Sequence, residues 1–161
     1  MTHFGKASWA WSSHRGGHGL EVRFFRKTFL LHEVSSSFPV LVSADSRYKF
    51  FANGFLVGRG PCKGTLEHYS YETYDLAPYL KKGRNILAGE VRWFGENSPA
   101  SEVHSAVPGF LFHAEAFPEL DTPGDWRVLD TSHLKPETSP FSNAMAFLGH
   151  FIAFIFFAPD K

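Results

Sequence analysis

Residues 44–61, ADSRYKFFANGFLVGRGP, and residues 69–94, YSYETYDLAPYLKKGRNILAGEVRWF, decide how this chain is read. Asn53-Gly54 sits between two apolar runs, KFFA and FLVG. Asn-Gly supplies the two positive φ angles of a type I′ turn, so the stretch predicts a tight β-hairpin. Further on, Asp75 suits a helix N-cap and Gly83 a C-terminal stop. Only Leu-Ala-Pro-Tyr-Leu-Lys-Lys lies between them, which is room for one short helical turn. Asn85 to Phe94 then alternates in part and predicts a strand.

Working outward, Leu20 to His32 (LEVRFFRKTFLLH) predicts a long strand with Val22, Phe24 and Phe29 among its core residues. The charges of Arg23-Phe24-Phe25-Arg26-Lys27 are assigned to its solvent face. Phe38 to Ser43, Gly109 to Phe117 and Asp125 to Asp130 predict further strands, and Ser8 to Trp11 a short aromatic one. Phe147 to Phe157 is a candidate last strand; at this length, broken by Gly149 and His150, it is too short to span a bilayer, which takes roughly 20 residues. Gly58 to Tyr69 and Gly95 to Pro108 read as long loops. Six or more strands with one helical turn argue for an all-β fold, an antiparallel β-sandwich. Eighteen Phe and four Trp fit that class, because aromatic rings pack well on pleated, half-buried surfaces. One domain over residues 1–135 is expected, with 136–161 a connection and last strand cut from a longer chain.

Sixteen basic and sixteen acidic residues leave no net charge, so neither nucleic acid nor an anionic membrane is an expected partner. A lone Cys62 excludes an internal disulfide framework and has no evident activating neighbour. The N-terminus lacks a signal-peptide pattern, which places the chain as given in the cytoplasm and leaves a secreted or periplasmic parent open.

The ordered set Arg47-Tyr48, Asn53-Gly54, Val57-Gly58-Arg59-Gly60-Pro61, Tyr74-Asp75-Leu76, Tyr79-Leu80 and Gly83-Arg84-Asn85 resembles the non-catalytic β-sandwich modules that precede the catalytic domain of bacterial α-L-rhamnosidases. More broadly it is similar to the galactose-binding-like (jelly-roll) modules of glycoside hydrolases. FRKTFLL before it, and Pro108-Gly109-Phe110 and Asp125-Trp126-Arg127 after it, follow the same order, so the resemblance covers Trp9 to Arg127. It implies an accessory module that binds a rhamnose- or galactose-containing glycan, or one that docks on an (α/α) catalytic barrel absent from this chain. Most of the matching residues are structural by type. Gly54, Gly58, Gly60 and Gly83 suit turns, while Tyr48, Tyr74 and Tyr79 suit buried rings with bonded hydroxyls.

Sugars are held by an aromatic face, with amides, carboxylates and arginine bonding the hydroxyls. Two loops carry that chemistry. One offers Arg59, Glu67, His68, Tyr69 and Tyr71; the other offers Trp93, Glu96, Asn97, Glu102 and His104. Trp93, at a strand end beside Glu96 and Asn97, is the leading candidate, set against the alternative that its indole is simply core. No cofactor is required, but Asp45, Glu96, Asn97 and Glu102 are hard-oxygen candidates for calcium. His14 and His18 lack the partners a zinc site needs. Glu90, Glu96, Glu102 and Glu115 are available carboxylates, but no catalytic motif accompanies them.

Overall fold

The computed structural model describes residues 4–13, 20–95, 105 and 107–131. Eight strands form two antiparallel sheets: β1 (Glu21–Leu31), β2 (Pro39–Asp45), β3 (Arg47–Ala52), β4 (Phe55–Gly60), β5 (Glu72–Asp75), β6 (Gly83–Trp93), β7 (Gly109–His113) and β8 (Arg127–Asp130). The larger sheet runs β4-β3-β6-β1-β8 and the smaller β5-β2-β7. They pack face to face as the expected sandwich. The candidate strand at Phe147 to Phe157 lies outside the described residues.

The core is aromatic because both inner faces present phenylalanine on alternate positions. Phe25 and Phe50 from the larger sheet meet Phe110 and Phe112 from the smaller, at ring separations of 4.9 Å and 5.6 Å. Trp126 closes against Phe112 at 5.3 Å, and its indole N–H donates to the Leu120 carbonyl. Burying such rings supplies most of the driving force, at about 25 cal/mol per Å² of apolar surface. Tyr48 is buried with its hydroxyl 3.1 Å from that of Tyr74, and burial pushes the Tyr48 phenol well above its usual range.

The hairpin forms as expected. Ala52 pairs with Phe55, and Asn53 and Gly54 adopt φ of 49° and 86°. Asn53 also does more than turn the chain. Its amide donates to the Tyr79 carbonyl and to Asn85 Oδ1, each at 2.8 Å, and its Oδ1 accepts from the Ile86 amide at 3.0 Å. Asn85, fully buried, completes the network. Its amide donates to the Lys81 and Gly83 carbonyls, and its oxygen also accepts from the Lys81 amide. All four of the Asn85 side-chain valences are thereby used.

The structure corrects the sequence expectation at several points. The basic cluster on β1 is not solvated, for Arg23 and Lys27 point inward with Phe25 and are 0% and 5% exposed. Arg23 is accommodated because Glu21 and Asp130 pair with it at 2.6 Å and 3.2 Å, Ser12 accepts from its Nε, and Trp11 lies beneath its guanidinium. Lys27 donates to the Glu119 carbonyl and contacts the Asp125 carboxylate, while desolvation lowers its pKa. Val22 and Phe24 are buried, but with Ala88 in a separate cluster on the other face of the sheet.

Gly58 and Gly60 lie within β4 and not in a turn; the Tyr74 ring lies against Gly58 where a β-carbon would sit 2.4 Å from it. Ser8 to Trp11 yields one bridge, Ala10 to Phe110, which covers the open side of β7. β5 falls where the sequence predicts only loop and turn, since Glu-Thr-Tyr-Asp has too little apolar character to announce an edge strand. β7 stops at His113 because the Asp121 carboxylate takes the Ala114 amide out of the ladder.

Asp75 ends β5 and precedes the expected turn, a 3₁₀ turn at Ala77–Tyr79. The N-cap, however, is Leu76, and Gly83 opens β6 instead of closing the turn. A second 3₁₀ turn, which the sequence does not announce, lies at Pro118–Leu120. The Asp75 Oδ1 accepts from the Ala77 and Phe38 amides at 3.0 Å and 2.7 Å, and Ser37 donates to Oδ2.

Both sets of polar contacts can be tested by substitution. Replacing Asn53 by glycine keeps the turn but removes three bonds, and is expected to cost about 3 kcal/mol in denaturant unfolding. Asn53→Ala adds the left-handed backbone penalty, about 1 kcal/mol more. The amides of Ala77 and Phe38, and then Ser37, hold the Asp75 carboxyl below its ordinary pKa. Its contribution is therefore complete at neutral pH and is lost as pH falls from the ordinary carboxylate range, about 3.9, through the lower folded value. Melting temperatures of Asp75→Asn and the parent should accordingly differ at neutral pH and converge in acid.

Candidate functional site

Trp93 is the last residue of β6 and shares the inward face with Leu87 and Val91, opposite Glu21 of β1. It is 5% exposed, with its indole N–H unpartnered among the described residues. Trp93 is thus a core residue among the described residues. The reason is parity: a strand of odd length from Leu87 brings position 93 back to the inner face. Glu96, Asn97, Glu102 and His104 lie outside the described residues.

Of the remaining candidates, Glu67 and His68 are exposed, while Arg59, Tyr69 and Tyr71 line three different hollows. Tyr69 meets Trp9 edge-on at 5.8 Å beside a cleft of about 10 Å³. That is roughly the space of one water molecule. A sugar does not fit there.

Tyr71 opens a larger groove of about 240 Å³ on the outer face of the smaller sheet, with Pro39, Leu41, Thr73, His113 and Glu115. Its floor is a cross-strand row, since Leu41 pairs with Thr73 on one side and His113 on the other. Tyr71 is 38% exposed and is braced by Phe4, edge-on at 5.1 Å. Both Asp121 carboxylate oxygens lie 3.0 Å from His113 Nδ1, which fixes the ring's orientation. The groove therefore combines an aromatic ring, a hydroxyl, an oriented imidazole and an exposed carboxylate. Thr73 and His113 are not among the sequence candidates. The signal for His113 is the alternation of Gly-Phe-Leu-Phe-His, where the two inward Phe force His outward.

Arg59 lines a third hollow, of about 310 Å³, with Arg47, Lys49, Cys62, Glu90 and Arg92 on the outer face of the larger sheet. Glu90 is 3% exposed and is held by Lys49 at 3.2 Å and Arg92 at 2.7 Å. Asp45 is buried, and its carboxylate accepts from the Ser105 amide and hydroxyl and from Ser46, so it pins the strand end to residue 105. Among the described residues no three His, Cys, Asp or Glu side chains converge as a metal site.

No protein-family model and no curated protein matches the chain. Solved structures do. The GH78 family rhamnosidase of Bacillus sp. GL1 is 29% identical with a TM-score of 0.67, over 80% of this chain and 14% of that one. The α-L-rhamnosidase of Streptomyces avermitilis, solved with L-rhamnose, is 17% identical with a TM-score of 0.55, over 86% of this chain and 14% of that one. A Pleurotus ostreatus lectin is 22% identical with a TM-score of 0.54, over 81% of this chain and 36% of its own. The chain spans only 14% of the rhamnosidase chains it is similar to, and its fold is that of a single β-sandwich module of α-L-rhamnosidases.

Proposed function

We propose that the chain acts as a non-catalytic accessory module of an α-L-rhamnosidase-like glycoside hydrolase and holds a rhamnose- or galactose-containing glycan in the Tyr71 groove. The observation that carries this reading is the 29% identity over 80% of the chain to a small part of a rhamnosidase. The groove fits the role chemically, because a ring face, a hydroxyl, an imidazole and a carboxylate are what a saccharide's alternating C–H and O–H surfaces pair with. Of the candidate carboxylates, the two among the described residues, Glu90 and Glu115, are not placed as a catalytic pair. Hydrolysis of a glycosidic bond needs two carboxyl groups facing each other across it, about 5–9.5 Å apart. Glu90 is buried in an ion-pair cluster on the larger sheet, whereas Glu115 lies beside the groove on the smaller one.

A docking domain is the second reading, and one observation favours it. Phe55 and Leu56, just after the hairpin turn, are 65% and 42% exposed, an apolar tip suited to packing on a neighbouring domain.

Calorimetric titration with L-rhamnose, galactose and a rhamnogalacturonan oligosaccharide, with and without calcium, separates the two. Under the binding reading, at least one saccharide binds with millimolar or tighter affinity. Tyr71→Ala then weakens it about tenfold, a change of about 1.4 kcal/mol. Trp93→Phe, which removes an unpartnered buried N–H, leaves that affinity unchanged. Absence of heat with every saccharide would sink the binding reading and favour docking.

A further inference from the structure

The outer face of the larger sheet gathers Arg47, Lys49, Arg59 and Arg92 around the buried Glu90. Strand register places Arg47 directly opposite Arg92, and Arg59 directly opposite Lys49. Like charges facing each other across a strand pair are destabilising. One carboxylate, Glu90, stands among these four cations, and Lys49 and Arg92 both bind it. A further carboxylate, Glu72, is turned to the Cys62 amide, which donates to its Oε1 at 2.8 Å. Arg47 is anchored by donating to the Pro61 carbonyl. Arg59 is exposed and has no ion-pair partner among the described residues.

We infer that this hollow is an anion site that takes the carboxylate of an acidic saccharide, a uronate residue. At about 310 Å³ it lies at the small end of ligand pockets, which run from roughly 300 to 1,000 Å³. That suits one sugar ring. Glu90 sets Lys49 and Arg92 in place, and among the described residues Arg59 is left without a carboxylate. Arg59 supplies the planar fork that matches a carboxylate with two parallel bonds. The site lies on a different sheet from the Tyr71 groove and does not depend on that groove binding anything.

The probe is trigalacturonate, titrated into the intact chain beside neutral L-rhamnose and inorganic sulfate. Trigalacturonate is expected to bind, to weaken at least about tenfold in Arg59→Ala, and to recover part of the loss in Arg59→Lys, which restores charge but not the fork. Binding should also fall steeply in about 1 M salt, where charges are screened within about 3 Å. Tyr71→Ala should leave it intact, which keeps this site distinct from the neutral-sugar groove. Since Arg59 is exposed, its variants should melt with the parent. No binding of trigalacturonate, equal binding by a folded Arg59→Ala, or sulfate binding as tightly as the uronate would each overturn the assignment.

Discussion

The Asn53–Asn85 contact is the constraint on which much of the larger sheet depends. Two side-chain amides, far apart in sequence, join the β3–β4 hairpin, the 3₁₀ turn and the start of β6 through six hydrogen bonds. Because Asn85 is fully buried, each of the four bonds it makes replaces one it would have made with water. A one-residue slip of β3 against β6 would break the bonds Asn53 makes to Asn85 and Ile86. Register is thereby held by polar geometry at one end of the sheet as well as by the buried aromatic face, which a one-residue slip would turn outward.

A second constraint sits on β1, the strand between β6 and β8. Both of its faces are buried near Phe24 and Phe25, one against the inter-sheet core and the other against Val22 and Ala88. Arg23 occupies an inward position and would be prohibitively costly there alone. Its two carboxylates, the Ser12 hydroxyl and the Trp11 ring replace the lost hydration. The N-terminal segment is consequently part of the sandwich, because Ala10 bridges Phe110 while Trp11 and Ser12 line the Arg23 cage.

The two outer faces are chemically different, and this difference organises the functional reading. The smaller sheet presents an aromatic, imidazole and carboxylate groove; the larger presents cations around one buried glutamate. A neutral chain by composition thus carries a strongly polarised local surface. Net charge is a sum over the whole molecule, whereas a ligand meets only the few charges that strand register brings onto one face.

The hairpin at Asn53-Gly54, the long strand after Leu20 and the single turn after Asp75 are legible in the sequence, because each rests on local chemistry: positive φ, apolar run length and capping. The β-sandwich class follows from the number of such elements. The burial of the Trp93 ring is legible as the alternative that its indole is core, whereas that of the Arg23 charge is not, since which face of a strand is inward depends on a partner strand tens of residues away. The Tyr71 groove also escapes, because Leu41, Thr73 and His113 become neighbours only when β5, β2 and β7 align. Local residue chemistry is enough to say which segments extend and where the chain turns. Which side chains share a face, and hence which surfaces can bind, is settled by cross-strand register, a non-local property that no short stretch of residues contains.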